Sequence, residues 1–294
     1  MSKNNLRIWL EAARPKTLAA AFVPVLIGGA LAWNDQLFRW DATLVALFCA
    51  FAIQIGTNFA NDYFDFVKGA DTDKRIGFQR ATAAGLIPAK TMLRATILVM
   101  GLGFLAGLYL VWLGGWVILA IGLLSLLFGI LYTGGPFPLG YNGLGDLFVF
   151  IFFGIVAVAG TYYVNTFQWS AAAFWAAVPI GALCVNILVV NNLRDVEQDR
   201  EAGKRTLGVL FGETALKIEY ILMVLISLPP LFFLYFSAGF SGWIFLPMLA
   251  VPYYMILARD VLAHEDKSEL NQTLEQTAKA MVLFGMLFAA GIVI

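Results

Sequence analysis

Phe174-Trp-Ala-Ala-Val-Pro-Ile-Gly-Ala-Leu-Cys-Val-Asn-Ile-Leu-Val-Val190 runs without a charge into Asn191-Asn-Leu-Arg-Asp195-Val-Glu-Gln-Asp199-Arg-Glu-Ala-Gly-Lys204-Arg205. The first part reads as a membrane helix and the second as its wet end. On a helix Asn191, Asp195 and Asp199 fall at i, i+4 and i+8, which stacks three oxygen-bearing side chains on one face. Asn58-Phe-Ala-Asn61-Asp62-Tyr-Phe-Asp65-Phe-Val-Lys68-Gly-Ala-Asp71 has the same design, with Asn61/Asp65 and Asn58/Asp62 as i, i+4 pairs. Two oxygen-rich helix ends in a chain this apolar need a cation between them. Hard oxygen ligands without His or Cys suit Mg²⁺, which usually completes its shell with water and substrate phosphates. One such end alone reads equally well as solvated surface charge; the matched pair favours a diphosphate held through Mg²⁺ between the two carboxylate faces.

Composition sets the class. The 294 residues are 61% hydrophobic and 13% charged, with mean hydropathy +0.81, against about 25% charged residues in a soluble domain. This is an integral membrane protein, so the lipid bilayer is its first partner. Zero net charge gives no indication of a nucleic-acid partner, and none is expected. Cys49 and Cys184 both lie in apolar runs and read as small buried hydrophobes. His264 is the only histidine, which excludes multi-histidine metal sites and argues against a Ser–His triad. No removable signal peptide is expected.

Leu6, Trp9, Leu10 and Ala13 share one face of a short helix, with Arg7, Glu11 and Arg14 on the other side. That predicts an amphipathic helix in the membrane interface, stopped near Pro15. Apolar runs follow at roughly 17–34, 42–64, 91–112, 115–133, 144–165, 170–193, 215–237, 242–259 and 276–294, each close to the ~17–25 residues a span needs. The sequence thus predicts an all-α single domain of about nine transmembrane helices over 1–294. Its two Asp-rich ends lie four helices apart, as in a four-helix repeat (17–133 and 144–259) followed by a final helix, 276–294. With nine spans, one side collects eighteen of the nineteen Lys and Arg residues, and only Arg39 falls on the other. The positive-inside rule makes that side cytoplasmic. Both Asp-rich ends face it, which implies the inner (cytoplasmic) membrane.

Cations follow each acid face: Lys68, Lys74, Arg75 and Arg80 after the first, Lys204 and Arg205 after the second. Beside Mg²⁺ they would neutralise a diphosphate leaving group, although most of them also serve topology. Arg80, Lys204 and Arg205 lie closest to polar or glycine-broken backbone. Leu131-Tyr132-Thr-Gly-Gly-Pro136-Phe-Pro-Leu-Gly140-Tyr141 cannot continue as helix. Tyr132, at its helix end, could face a developing carbocation with its ring or hydrogen-bond the diphosphate. Asp146 receives no role beyond a charge at a helix N-terminus.

Asn61-Asp-Tyr-Phe-Asp65…Asp71 together with Asp195-x-x-x-Asp199 resembles the UbiA superfamily of intramembrane aromatic prenyltransferases, over essentially the whole chain. Ala13-Arg14-Pro15-Lys16-Thr17-Leu18, Leu131-Tyr-Thr-Gly-Gly-Pro136 and Asn191 to Leu207 narrow the resemblance to the 1,4-dihydroxy-2-naphthoate polyprenyltransferases of menaquinone synthesis. The resemblance implies helices around a central cavity, with two Mg²⁺ bridging a polyprenyl diphosphate to Asn61/Asp65 and Asp195/Asp199. It also implies roles near that site for Arg14, Tyr132 and Asn191, and an aromatic acid as acceptor. Asn58, Asp62, Lys68, Asp71, Arg80, Lys204 and Arg205 complete the expected substrate-binding set. The alternatives are a different aromatic acceptor, such as 4-hydroxybenzoate or a homogentisate-like phenol, and an ion-coupled transporter. A transporter would carry single acids near the bilayer midplane beside broken helices; here the acids cluster at one interface with Lys and Arg.

Overall fold

The computed structural model describes residues 3–71, 76–77 and 80–294, with side chains from residue 5 onward. Lys74 and Arg75, expected among the loop cations, lie outside the described residues. The chain begins with α1 (Lys3–Ala13). Pro15 cannot extend it, and Arg14 takes a left-handed backbone with φ 53°. Thr17 steadies that turn by donating its hydroxyl to the Arg14 carbonyl at 2.9 Å. The chain bends there by 51° before entering α2 (Ala19–Asn34). The amphipathic N-terminal helix is therefore separated from the first apolar one, as its pattern predicts.

The remaining long helices are α3 (Trp40–Val67), α4 (Ala89–Gly114), α5 (Trp116–Leu131), α6 (Gly145–Thr166), α7 (Ala171–Glu201), α9 (Glu213–Phe236), α10 (Gly242–Ala263) and α11 (Lys267–Val293), with the short α8 (Leu207–Phe211) between α7 and α9. Among the described residues seven of these are long and apolar enough to cross a membrane, or eight if the bent α1–α2 pair counts as one span. The expected nine is not reached by length, because α5 has only 16 residues. At 1.5 Å per residue that is about 24 Å, short of the ~30 Å hydrocarbon core. The nine apolar runs do each become a helix.

α7 is the axis of the bundle. Buried residues occupy 72% of its most apolar window, because α6, α9 and α11 all pack on it. Gly154 of α6 and Gly181 of α7 permit the closest approach: a Cβ on Gly154 would lie 2.7 Å from the Gly181 Cα. Membrane helices, lacking a hydrophobic drive toward one another, gain their association from this kind of backbone proximity. Gly154 lies in a π-helical turn, Phe150–Val156, that swells α6 where it forms a cavity wall. α3 packs on α4 and α2 on the opposite flank. The polar ends of α3 and α7 thereby meet.

Candidate active site

One cavity of about 420 Å³ runs from these polar ends into the apolar interior. Along α3 its lining passes through Ala46, Cys49, Ile53, Thr57, Asn61 and Asp65, a stripe at helical spacing. Phe104, Gly107, Ile121, Gly122, Phe152 and Gly160 line it from α4, α5 and α6. Its mouth is polar. Arg14, Asn58, Asn61, Asp62, Asp65, Arg80, Tyr132, Asn191, Asp195, Asp199 and Lys204 all line it, so the structure brings together eleven of the fourteen residues the sequence singles out. Lys68, Asp71 and Arg205 stand outside the lining. Lys68 donates to the Thr133 carbonyl at 2.6 Å, Asp71 flanks the Arg80 guanidinium at 3.6 Å, and the Arg205 backbone N–H bonds the Tyr141 carbonyl at 2.7 Å.

The three central carboxylates, Asp65, Asp195 and Asp199, are 1%, 4% and 7% exposed, and each is matched to a cation. Arg80 Nη2 donates to Asp65 Oδ2 at 2.8 Å. Arg194 grips Asp195 with Nε and Nη2, each 2.7 Å from a carboxylate oxygen. Lys204 Nζ stands 3.2 Å from Asp199 Oδ1. Buried charges require such pairing, since an isolated carboxylate in this setting would cost several kcal/mol. Asn61 Oδ1 accepts from the Thr133 hydroxyl at 2.6 Å.

Two expected ligand residues have local duties as well. Asp62 accepts the backbone N–H groups of Ala81 and Thr82 at 3.0 and 2.9 Å, which fixes the turn that carries Arg80. Asn58 donates to the Ala13 carbonyl and the Thr17 hydroxyl at 3.0 and 3.1 Å, tying the α1–α2 bend to α3. The i, i+4 spacing put both on one face, and that face meets backbone as well as cavity.

Tyr132 owes its place to glycine. A Cβ on Gly140 would fall 2.9 Å from the Tyr132 ring, and one on Gly145 would fall 3.0 Å from its hydroxyl. The glycines of and just after the Gly/Pro-rich stretch thus leave room for the Tyr132 ring and hydroxyl. Tyr141, which sequence reasoning left without a role, donates its hydroxyl to Asp65 Oδ1 at 2.5 Å. Its ring lies 4.8 Å from the ammonium groups of both Lys68 and Lys204. Burial, followed by the nearby Asp65 charge, raises the phenol far above its ordinary pKa, so it remains a neutral donor. The same burial lowers the Lys68 ammonium. Arg194 and Asn271 were also missed; the latter accepts from Arg194 Nη1 at 2.9 Å and donates to the Ile76 carbonyl at 3.1 Å. Among the described residues no three His, Cys, Asp or Glu side chains are gathered as a ready metal cage.

Fold and site define a multi-pass membrane protein with an apolar cavity whose mouth carries paired acids and bases. Residues 21–293 match the UbiA prenyltransferase family. The chain is 39% identical over 292 residues to the 1,4-dihydroxy-2-naphthoate octaprenyltransferase of Escherichia coli (strain K12), covering 97% of this chain and 94% of that one. It is 36% identical over 304 residues to the protein of the same name from Haemophilus influenzae (strain ATCC 51907 / DSM 11121 / KW20 / Rd), with 100% and 98% covered. Its backbone resembles that of a UbiA homolog from Archaeoglobus fulgidus bound to DMAPP and Mg²⁺, with TM-score 0.69 at 15% identity over 97% of this chain and 98% of that one. The chain belongs to the UbiA prenyltransferase family, and it is a membrane-embedded prenyltransferase.

Proposed function

We propose that the enzyme transfers a polyprenyl group from an allylic diphosphate to 1,4-dihydroxy-2-naphthoate, releasing CO₂ and giving the hydroquinone form of a demethylmenaquinone-type lipid. The observation that carries this reading is the meeting of two Asn/Asp-rich helix ends, with their cations, at the mouth of one apolar cavity. The names of the full-length relatives support naphthoate as the acceptor. Family membership and the clustering of the acids at one membrane face disfavour the transporter.

The donor set fits Mg²⁺. Asn61, Asp65, Asp195 and Asp199 offer oxygen only, and Mg²⁺ binds through one or two carboxylates plus substrate phosphates rather than in an all-protein cage. These four residues would hold it, as two ions shared with the diphosphate. When bound, Mg²⁺ draws charge onto the diphosphate as a Lewis acid.

Arg14, Arg80 and Lys204 present N–H donors to the leaving group, where negative charge grows as the allylic C–O bond breaks. Asp62 keeps Arg80 in place through Ala81 and Thr82. Tyr132 offers its ring face to the developing allylic cation. The apolar walls carry the prenyl tail and keep water from that cation. The electron-rich ring carbon bearing the carboxylate then forms the new C–C bond. This leaves a β-keto acid, whose carboxyl departs as CO₂ while its bonding pair returns to the ring. No pyridoxal or thiamine is needed. The excess of Lys and Arg on this face supports an inner-membrane enzyme that works from the cytoplasm.

Purified protein in nanodiscs, supplied with Mg²⁺, a polyprenyl diphosphate and carboxyl-labelled naphthoate, is expected to release one labelled CO₂ per prenyl group transferred. Label retained in the prenylated product would rule out the naphthoate reading while leaving the fold and family intact. Asp65→Asn, Asp195→Asn and Asp199→Asn should each lower turnover by several kcal/mol of barrier, on the order of a hundredfold or more, in protein that remains folded and membrane-inserted. Near-normal turnover in two of the three would leave the acids as structural ion pairs with no part in the reaction.

A further inference from the structure

Arg194 bonds its own neighbour in the chain. Adjacent positions on a helix point about 100° apart, so consecutive side chains do not face each other. Yet Arg194 Nε and Nη2 each stand 2.7 Å from an oxygen of Asp195. The arginine must curl across the surface of α7 to do so, and a flexible chain keeps such a shape only where its far end is anchored. Two amides meet that end. Asn191, one turn back on α7, accepts from Nη2 at 2.8 Å, and Asn271, from α11, accepts from Nη1 at 2.9 Å. The second contact ties the guanidinium to a different helix.

The other half of the Asn271 amide donates to the Ile76 carbonyl, in the connection between α3 and α4, at 3.1 Å. That connection comes so close that a Cβ on Gly77 would fall 2.6 Å from Arg194 Nη2. A guanidinium can only donate and a carbonyl can only accept, so a side chain bonded to both must do both, as an amide does. Asn271 also stands on a fixed support. At the start of its helix Lys267 bridges Glu197 of α7 and Glu213 of α9 at 2.5 and 2.6 Å. One turn further on, Glu275 accepts from Lys16 of the α1–α2 bend at 2.5 Å. Leu274 lines the cavity and Asn271 does not, so Asn271 can reach the chemistry only through the groups it holds.

We infer that Asn271 is a positioning residue for prenyl transfer. It fixes the Arg194 guanidinium, and through it the Asp195 carboxylate, and it fastens the Ile76–Gly77 backbone against the same guanidinium. This rests on the reading of Asp195 as a holder of Mg²⁺ and diphosphate. Metal-holding carboxylates take their orientation from the groups behind them, whose loss typically costs about 10–100-fold in metal affinity or activity.

Asn271→Leu matches the branching of asparagine and removes both hydrogen bonds, while Asn271→Gln keeps a donor and an acceptor. Hydrogen exchange read by mass spectrometry, on the full-length protein in nanodiscs without substrate, should be faster in Asn271→Leu over the peptide that contains Ile76 and Gly77. Asn271→Gln should lie closer to wild type. With geranyl diphosphate and 1,4-dihydroxy-2-naphthoate, the free Mg²⁺ needed for half-maximal turnover should rise about tenfold in Asn271→Leu, and Asn271→Gln should recover part of that loss. Arg194→Gln combined with Asn271→Leu should be little worse than Arg194→Gln alone, because residues that act through one contact do not lose independently. A merely structural role would leave the Mg²⁺ requirement in place and multiply the two losses. Either of those results, or unchanged exchange at Ile76 and Gly77, overturns the inference. If Arg194→Gln does not fold, the exchange and the Mg²⁺ requirement of the Asn271 variants decide it. A wild type that turns over without Mg²⁺ would remove the metal–diphosphate reading itself; one that needs Mg²⁺, with Asn271→Leu needing no more, removes only the positioning role.

Discussion

Tyr141 joins several parts of the site through its side chain and its backbone. Its hydroxyl reaches the acid of α3, its ring lies between Lys68 and Lys204, and its carbonyl accepts the Arg205 N–H beyond the end of α7. Tyr141→Phe keeps the ring and both cation contacts and removes only the donor to Asp65. A hydrogen bond to a charged group is worth about 1.5–3 kcal/mol, so turnover should fall about 10–100-fold while the melting temperature moves little. Steady-state prenylation and a thermal melt on the same sample check this, and unchanged turnover would make Tyr141 a spacer. The sequence does not reveal this residue. It marks Tyr141 only as the end of a Gly/Pro-rich turn, and nothing in local spacing says that the turn folds back on a carboxylate 76 positions earlier. Arg194 is hidden differently, as one more charge beside a conspicuous aspartate. Asp65, Asp195 and Asp199 were legible because helical periodicity is local: Asn61 and Asp65 on α3, and Asn191, Asp195 and Asp199 on α7, each share a face whatever the tertiary structure does.

The same locality governs the elements. Hydropathy finds the part of a helix that lies in lipid, and not where the helix ends. The run read at 170–193 is the apolar portion of α7, whose helix continues to Glu201 and carries the acids with it. The turn between α4 and α5 falls at Gly114-Gly115, where the runs at 91–112 and 115–133 meet and Gly115 has φ +71°. The π-helical turn of α6 was not legible, since Phe150–Val156 is uniformly apolar and gives no register mark. Nor does the sequence say which glycines join helices and which leave room. Gly56 and Gly129 are packing sites, with a Cβ meeting atoms at 2.5 and 2.7 Å. Gly122 lines the cavity, and a Cβ there meets nothing within 4 Å. From Ala46 to Asp65 the cavity stripe on α3 rises by nineteen residue steps, about 28 Å at 1.5 Å each, so a long prenyl tail following it would pass α5. Gly122→Phe fills that passage without disturbing the mouth. A two-isoprene diphosphate should then be used nearly as well as by wild type, while long-chain diphosphates lose most of their kcat/KM. Mass spectrometry of products across a chain-length series measures it; equal losses at every length would place the tail elsewhere.

At the scale of the molecule, orientation in the membrane decides how the substrates arrive. The structure has two poles. At one, the carboxylates of α3 and α7 share the cavity mouth. At the other, Tyr162 donates to Asp35 at 2.6 Å, and the Arg39 backbone N–H to Asn165 Oδ1 at 2.7 Å, closing the α2–α3 loop against the end of α6. By the sequence tally, eighteen of nineteen Lys and Arg residues fall on the side of the first pole. The charge rule is a rule about insertion, and the site chemistry asks for the same arrangement: a diphosphate cannot cross the bilayer by itself, so the mouth must face the compartment that supplies it. Single cysteines at Leu86, Ala202 and Gln36, in a background without Cys49 and Cys184, would report the orientation through a membrane-impermeant maleimide. Gln36→Cys should label in intact cells, and Leu86→Cys and Ala202→Cys only in inverted vesicles. Leu86 and Ala202 on opposite sides would break the shared site. Both on the outer side would preserve the site and overturn its cytoplasmic orientation, leaving the enzyme to draw its diphosphate from the far compartment.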